Sequence, residues 1–230
     1  MNSKILLFVV LGIVSLSFAG GPYLLVMDAS GSMSDTTPPN YDETKMEAAK
    51  TAANNFIDQT SGEIALVVFD DCDAGGDINS GGIRLLQSFT TDKSALKSKV
   101  NSLEPYWDTP IADALTEAKA YLQSSKGTGT IILITDGQET CGGDPVTVAG
   151  GIYGQGVGTV HVIGYLIGGE AEETAMEIAE AGGGNYYSVE NAVELEEALE
   201  DITGGGDIVC CPTTALLLLP FVGFFIKRRK

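Results

Sequence analysis

Apolar and polar residues follow two periods along this chain. Tyr23 to Met27, Ile64 to Phe69, Thr130 to Thr135 and Val157 to Ile167 are short runs rich in residues apolar on both faces, the pattern of strands buried inside a parallel sheet. Ile83 to Phe89 and the shorter Tyr186 to Val189 read as two further strands. Between the runs, apolar residues return at helical spacing. Lys45 to Gln59 places Met46, Ala49, Ala53, Phe56 and Ile57 together, so this segment should pack on the sheet. Asp92 to Leu103 is a helix that Asp92 caps and Pro105 ends. Pro110 to Ser124 begins with a proline suited to a first helical position. A helix starting at Pro145 has Asp144 as its cap, Glu172 to Ala181 is stopped by Gly182-Gly183-Gly184, and Asn191 to Ile202 is the last helix. Strands alternating with helices predict an α/β fold: a doubly wound, mostly parallel central sheet flanked by helices on both faces.

The two ends break this rhythm. Residues 1–19 hold one basic residue, Lys4, an apolar run from Ile5 to Val14, and the small residues Ser17 and Ala19. That is the layout of a secretory signal peptide with cleavage after Ala19, an uncleaved anchor being the alternative. The folded domain is then expected over residues 20–203. Residues 204–207 form a glycine-rich linker. Residues 208–226 give 19 positions without a charge, close to the roughly 20 that cross a bilayer, and Lys227 to Lys230 form a basic cytoplasmic stop. The expectation is a domain outside the cell, anchored by this C-terminal transmembrane segment. A sorting signal that is cut and replaced by another anchor has the same layout.

Charge narrows the partners. The 31 acidic residues all lie between Asp28 and Asp207, and five of the 13 basic ones are Lys4 and the four at 227–230. The central part, with 8 basic and 31 acidic residues, has a formal charge of −23. Such a body repels nucleic acid and anionic lipid and attracts cations, although acidity also serves solubility alone.

Candidate chemistry centres on Asp28-Ala29-Ser30-Gly31-Ser32, which follows the first strand. A carboxylate and two hydroxyls at alternate positions converge if the backbone turns sharply, which Gly31 permits. Oxygen ligands of this kind suit a hard divalent cation, while Asp, Ser and Gly are also ordinary turn and cap residues. Thr109, just before a helix, adds a hydroxyl, and Asp136, at the end of the strand Thr130 to Thr135, adds a second carboxylate. With these residues in this order, residues 21–203 resemble the von Willebrand factor A domain family, in its prokaryotic, membrane-anchored form. The resemblance implies an intact metal-ion-dependent adhesion site made by Asp28, Ser30, Ser32, Thr109 and Asp136. It further implies Mg2+, with Mn2+ or Ca2+ as alternatives, and one coordination position open to a Glu or Asp carboxylate of a protein partner.

That is a binding module and not an enzyme. A scaffold subunit docking within one membrane is the alternative. A metal-dependent phosphohydrolase using Asp28 is a third reading, opposed by Ser30 standing where such enzymes carry a second early carboxylate. Cys72 and Cys141 each follow a strand that the fold runs in the same direction, so both reach one sheet edge and are predicted to bridge. Cys210 and Cys211 are open to lipid modification, to linking two chains, or to neither. Asp70, Asp71, Asp73 and Asp77 lack the full spacing of a calcium loop and read as a solvated acidic loop. Trp107 reads as loop or core packing, or else as an aromatic at the rim of the site. Glu139 and Asp144 are candidates for tuning it. His161, inside a strand, is assigned no chemistry.

Overall fold

Six strands form one sheet in the order β3-β2-β1-β4-β5-β6. In chain order the elements are β1 (Tyr23–Asp28), α1 (Lys45–Gln59), β2 (Ile64–Phe69), β3 (Ile83–Thr90), α2 (Lys93–Asn101), α3 (Ile111–Ser125), β4 (Gly129–Thr135), α4 (Pro145–Gly154), β5 (Gly158–Tyr165), α5 (Glu170–Ala181), β6 (Gly183–Val189) and α6 (Ala192–Thr203). The structure, a computed structural model, describes residues 21–37, 42–73 and 81–204.

All neighbours are parallel except β2 and β3. Among the described residues no helix lies between β2 and β3, and β3 pairs antiparallel with β2; a parallel return needs a crossover. The order reverses between β1 and β4, and the crevice beyond their carboxyl ends is where sheets of this kind bind ligands. Asp28 is the last residue of β1, and Asp136 directly follows β4.

The central strands are buried on both faces, as their unbroken apolar runs require. Along β1 the pleat sends Tyr23, Leu25 and Met27 into one core with Ala49, Phe56, Leu96 and Leu199. Leu24 and Val26 enter the other, with Leu115, Ile152 and Ile178. Helices α1, α2 and α6 therefore cover one face, and α3, α4 and α5 the other. Thr44 caps α1 in a capping box with Glu47, and Asp92 and Asp144 cap α2 and α4 as expected.

Several boundaries differ from the sequence reading by one or a few residues, two of them at a proline and at a glycine run. Pro110 sits at the N-cap of α3 and not at its first helical position. Strand β6 starts at Gly183, because its glycines pack directly on β5: a Cβ on Gly184 would lie 2.2 Å from the carbonyl oxygen of Val160. Triple glycine here is close strand contact, not only a breaker.

The membrane-anchored layout is corrected. Among the described residues no helix is long and apolar enough to cross a membrane. The longest, α1 and α3, have 15 residues, short of the roughly 20 of a span, and each packs one face on the sheet. The expected signal peptide (1–19), most of the linker, the expected transmembrane segment (208–226), Cys210, Cys211 and the basic tail (227–230) lie outside the described residues. Localisation at a membrane with the domain outside thus finds no support in the fold.

Candidate functional site

Asp28 is the last residue of β1 and is fully buried. Its Oδ1 accepts from the backbone N–H of Ser30 at 2.7 Å, and its Oδ2 accepts from the hydroxyl of Thr135 at 2.6 Å. Burial, followed by the nearby charge of Asp136, raises its pKa from the ordinary 3.8 to about 6, against the lowering effect of those hydrogen bonds.

Residues Gly31–Ser34 form a 3-10 turn, which brings the Oγ atoms of Ser30 and Ser32 to 3.2 Å. Ser32 Oγ then donates to Asp136 Oδ1 at 2.7 Å. Gly31 is needed for proximity, not for a left-handed turn: a Cβ there would lie 3.0 Å from the Tyr106 carbonyl oxygen. Thr109 is buried and is fixed by Thr140, which accepts from its N–H through Oγ1 at 2.8 Å and donates its own N–H to the Thr109 carbonyl at 3.1 Å. A methyl built on Gly137 would lie 3.8 Å from both Ser32 Oγ and Thr109 Oγ1, so those two hydroxyls flank one point. The five residues named from sequence are thus brought to one place.

Lys45 completes the cluster and was not anticipated. From the first turn of α1 its Nζ reaches Asp136 Oδ2 at 2.7 Å, with 11% of the lysine side chain and none of the aspartate side chain exposed. Both oxygens of Asp136 are therefore bound by the protein's own donors, as are both of Asp28. Among the described residues no group of three or more His, Cys, Asp and Glu side chains gathers to hold a metal ion. The expectation of an intact metal-ion-dependent adhesion site, presenting an open coordination position to a partner's carboxylate, is corrected accordingly. A signal for Lys45 existed in the sequence: a cation at a helix start opposes the helix dipole and asks for a tertiary reason.

Around the cluster, the loop before α3 is held by backbone bonds. Tyr106 N–H donates to the Ala29 carbonyl at 2.7 Å, Gly31 N–H to that of Trp107 at 3.3 Å, and the N–H groups of Trp107 and Asp108 both to that of Asp70 at 3.0 and 2.9 Å. Asp70, expected in a solvated loop, is instead buried and takes a two-pronged pair from Arg84 at 2.8 and 2.5 Å. On this fixed backbone Tyr106 and Trp107 are 59% and 67% exposed, edge to face at 5.6 Å between ring centroids. Trp107 is therefore a rim residue and not core packing. Glu139 does not face the cluster; it accepts from the N–H groups of Ala112 at 2.8 Å and Cys141 at 2.7 Å. The predicted bridge is present between Cys72 and Cys141. His161 accepts from the Asn185 N–H through Nδ1, a structural role.

Residues 23–138 match the family model described as von Willebrand factor type A domain. The uncharacterised protein YwmD of Bacillus subtilis is 31% identical over 188 residues, covering 76% of this chain and 82% of that protein. Among solved structures, an aerotolerance-related membrane protein of Bacteroides fragilis superposes with a TM-score of 0.64 at 22% identity, over 81% of this chain and all of that one. Proximal thread matrix protein 1 of the mussel byssus, with a zinc-occupied metal-ion-dependent adhesion motif, gives 0.59 at 19%, over 80% of this chain and 46% of that one.

Proposed function

Since this chain belongs to the von Willebrand factor type A domain family, we propose that it is a protein-binding module whose partner meets the edge carrying the Ser30, Ser32 and Thr109 loops. One observation carries this reading: Tyr106 and Trp107 stand out from a backbone pinned to two neighbouring loops, at that same edge. Exposed Trp and Tyr on rigid supports are the residue types that dominate binding energy at protein interfaces. Glu104 and Asp108 flank the pair, and the whole chain carries a net charge of −18. A carboxylate-bearing partner is opposed by that field. A surface presenting arginine or lysine is favoured by it, and by the ring faces.

In the same reading the oxygen cluster accepts a divalent cation, Mg2+ ahead of Mn2+ or Ca2+. Its donors are all oxygens, which fit such an ion, and it holds two carboxylates against one ammonium. Asp28, Ser30, Ser32, Thr109 and Asp136 would hold the ion, which would supply positive charge binding three loops together. The test of partner capture is a photo-crosslinking residue at Tyr106, with one at Lys126 as the control, in the cells that make the protein. The reading requires one protein joined through position 106, whose binding in purified form is lost with Trp107→Ala. Crosslinks to that protein at position 126 alone would overturn it.

A further inference from the structure

Asp28 and Asp136 place two buried carboxylates close enough for the charge of one to raise the pKa of the other. Among the described residues, the one ion pair to either of them comes from Lys45. Lys45 stands at the start of α1, where a positive charge is disfavoured by the helix's own dipole. Its capping is already complete through Thr44 and Glu47, so the lysine contributes nothing there. Its other acidic neighbour, Asp35, is 4.0 Å away and largely exposed. What the lysine does achieve is an enclosed contact across 91 residues of sequence. The contact is to one oxygen only. Lys45 takes Oδ2 of Asp136, and Ser32 takes Oδ1, so the ammonium fixes the carboxylate plane with Oδ1 turned toward the two serine hydroxyls.

We infer that Lys45 is the resident counter-cation of the Asp28 and Asp136 pair, a positioning residue that keeps the cluster assembled without a divalent ion. Removing one partner of an enclosed ion pair leaves the other charge unbalanced, so the variant should depend on an external cation where the natural chain does not. An ion that binds only the folded protein stabilises it in proportion to its affinity, so this dependence is measurable without knowing any partner. The Mg2+ part rests on the cation reading of the five residues proposed above.

The experiment compares thermal unfolding of the full chain, Lys45→Met, Lys45→Arg and the exposed-site control Lys99→Met, each in EDTA and in Mg2+. In EDTA, Lys45→Met should melt well below the natural chain, while Lys45→Arg and Lys99→Met stay near it. Mg2+ should then raise Lys45→Met more than it raises the natural chain. Equal melting of Lys45→Met and the natural chain in EDTA overturns the role of Lys45, as does Lys45→Arg falling as far as Lys45→Met. Should Lys45→Met not fold, Asp136→Asn and the Lys45→Met/Asp136→Asn double variant replace it: the double variant should fold and melt near Asp136→Asn, and a double variant that fails to fold as Lys45→Met does overturns the pairing. Calorimetric titration with Mg2+ that gives no heat with any of the proteins overturns the cation reading alone, since the EDTA comparison is independent of it.

Discussion

The hydroxyl of Thr135 donates to Oδ2 of Asp28 at 2.6 Å, joining the ends of β4 and β1 beneath the cluster. Both residues are buried, so water cannot replace the bond when it is cut. Thr135→Val should cost about 1–3 kcal/mol, the range for leaving a buried acceptor short of a partner. Urea unfolding, with its slope unchanged, measures the loss.

Asp28 also makes stability depend on pH. Its folded pKa, about 6, lies above the ordinary 3.8, so the stabilisation linked to its proton is complete below about pH 3.8 and is lost as pH rises through 6. The difference corresponds to about 3 kcal/mol as an order of magnitude. In chelator, Asp28→Asn should gain on the natural chain between pH 4 and 7 by up to that amount. Paired denaturation curves across that window give the answer, and a constant offset would contradict it.

Trp107→Ala tests the rim. Truncating a central aromatic anchor commonly costs about 2 kcal/mol of binding, roughly 30-fold in affinity. The side chain is mostly exposed and its loop is held by backbone bonds, so the melting temperature should stay unchanged. Affinity for the partner should also fall as salt rises, because the charges at this edge are screened. Calorimetry at two ionic strengths reports both effects.

The Cys72 to Cys141 bridge closes a separation of 69 residues between the loops after β2 and β4. On the chain-entropy account, closure of that length contributes about 4 kcal/mol. The Cys72→Ala/Cys141→Ala variant should therefore melt at a lower temperature and match the reduced natural chain. A scan with and without reductant separates this from a local packing effect.

Glu139 satisfies the N–H groups of Ala112 and Cys141, one at the start of α3 and one beside the bridge. Glu139→Ala should cost about 1–2 kcal/mol, as for a lost helix cap. Faster amide exchange confined to residues near 112 and 141 would identify the cause.

The sheet was legible because the middles of β1, β2 and β4 are buried on both faces and wholly apolar, their polar residues (Asp28, Thr130, Thr135) standing only at the ends. The hydroxyl and carboxylate cluster was legible because each member sits directly beyond a strand end or just before a helix, where local signals are strong. The partner of Lys45 was not: a cation at a helix start asks for a tertiary reason, but nothing within α1 says which residue, 91 positions away, supplies it. Asp70 was misread for the same reason: its neighbours are acidic and polar, while its burial depends on Arg84 from the adjacent strand. The expectation of a metal site with a position open to a partner's carboxylate met its correction at the same point, because the ammonium that engages Asp136 comes from another element.

Because β1 and β6 run parallel to their neighbours and α6 returns along the sheet, Tyr23 and Thr203 both lie at the margin away from Trp107. The strands between are 6–8 residues long, or about 20 Å at 3.3 Å per residue. A fusion or tether attached directly at Tyr23 or Thr203 therefore starts from the margin opposite the aromatic rim.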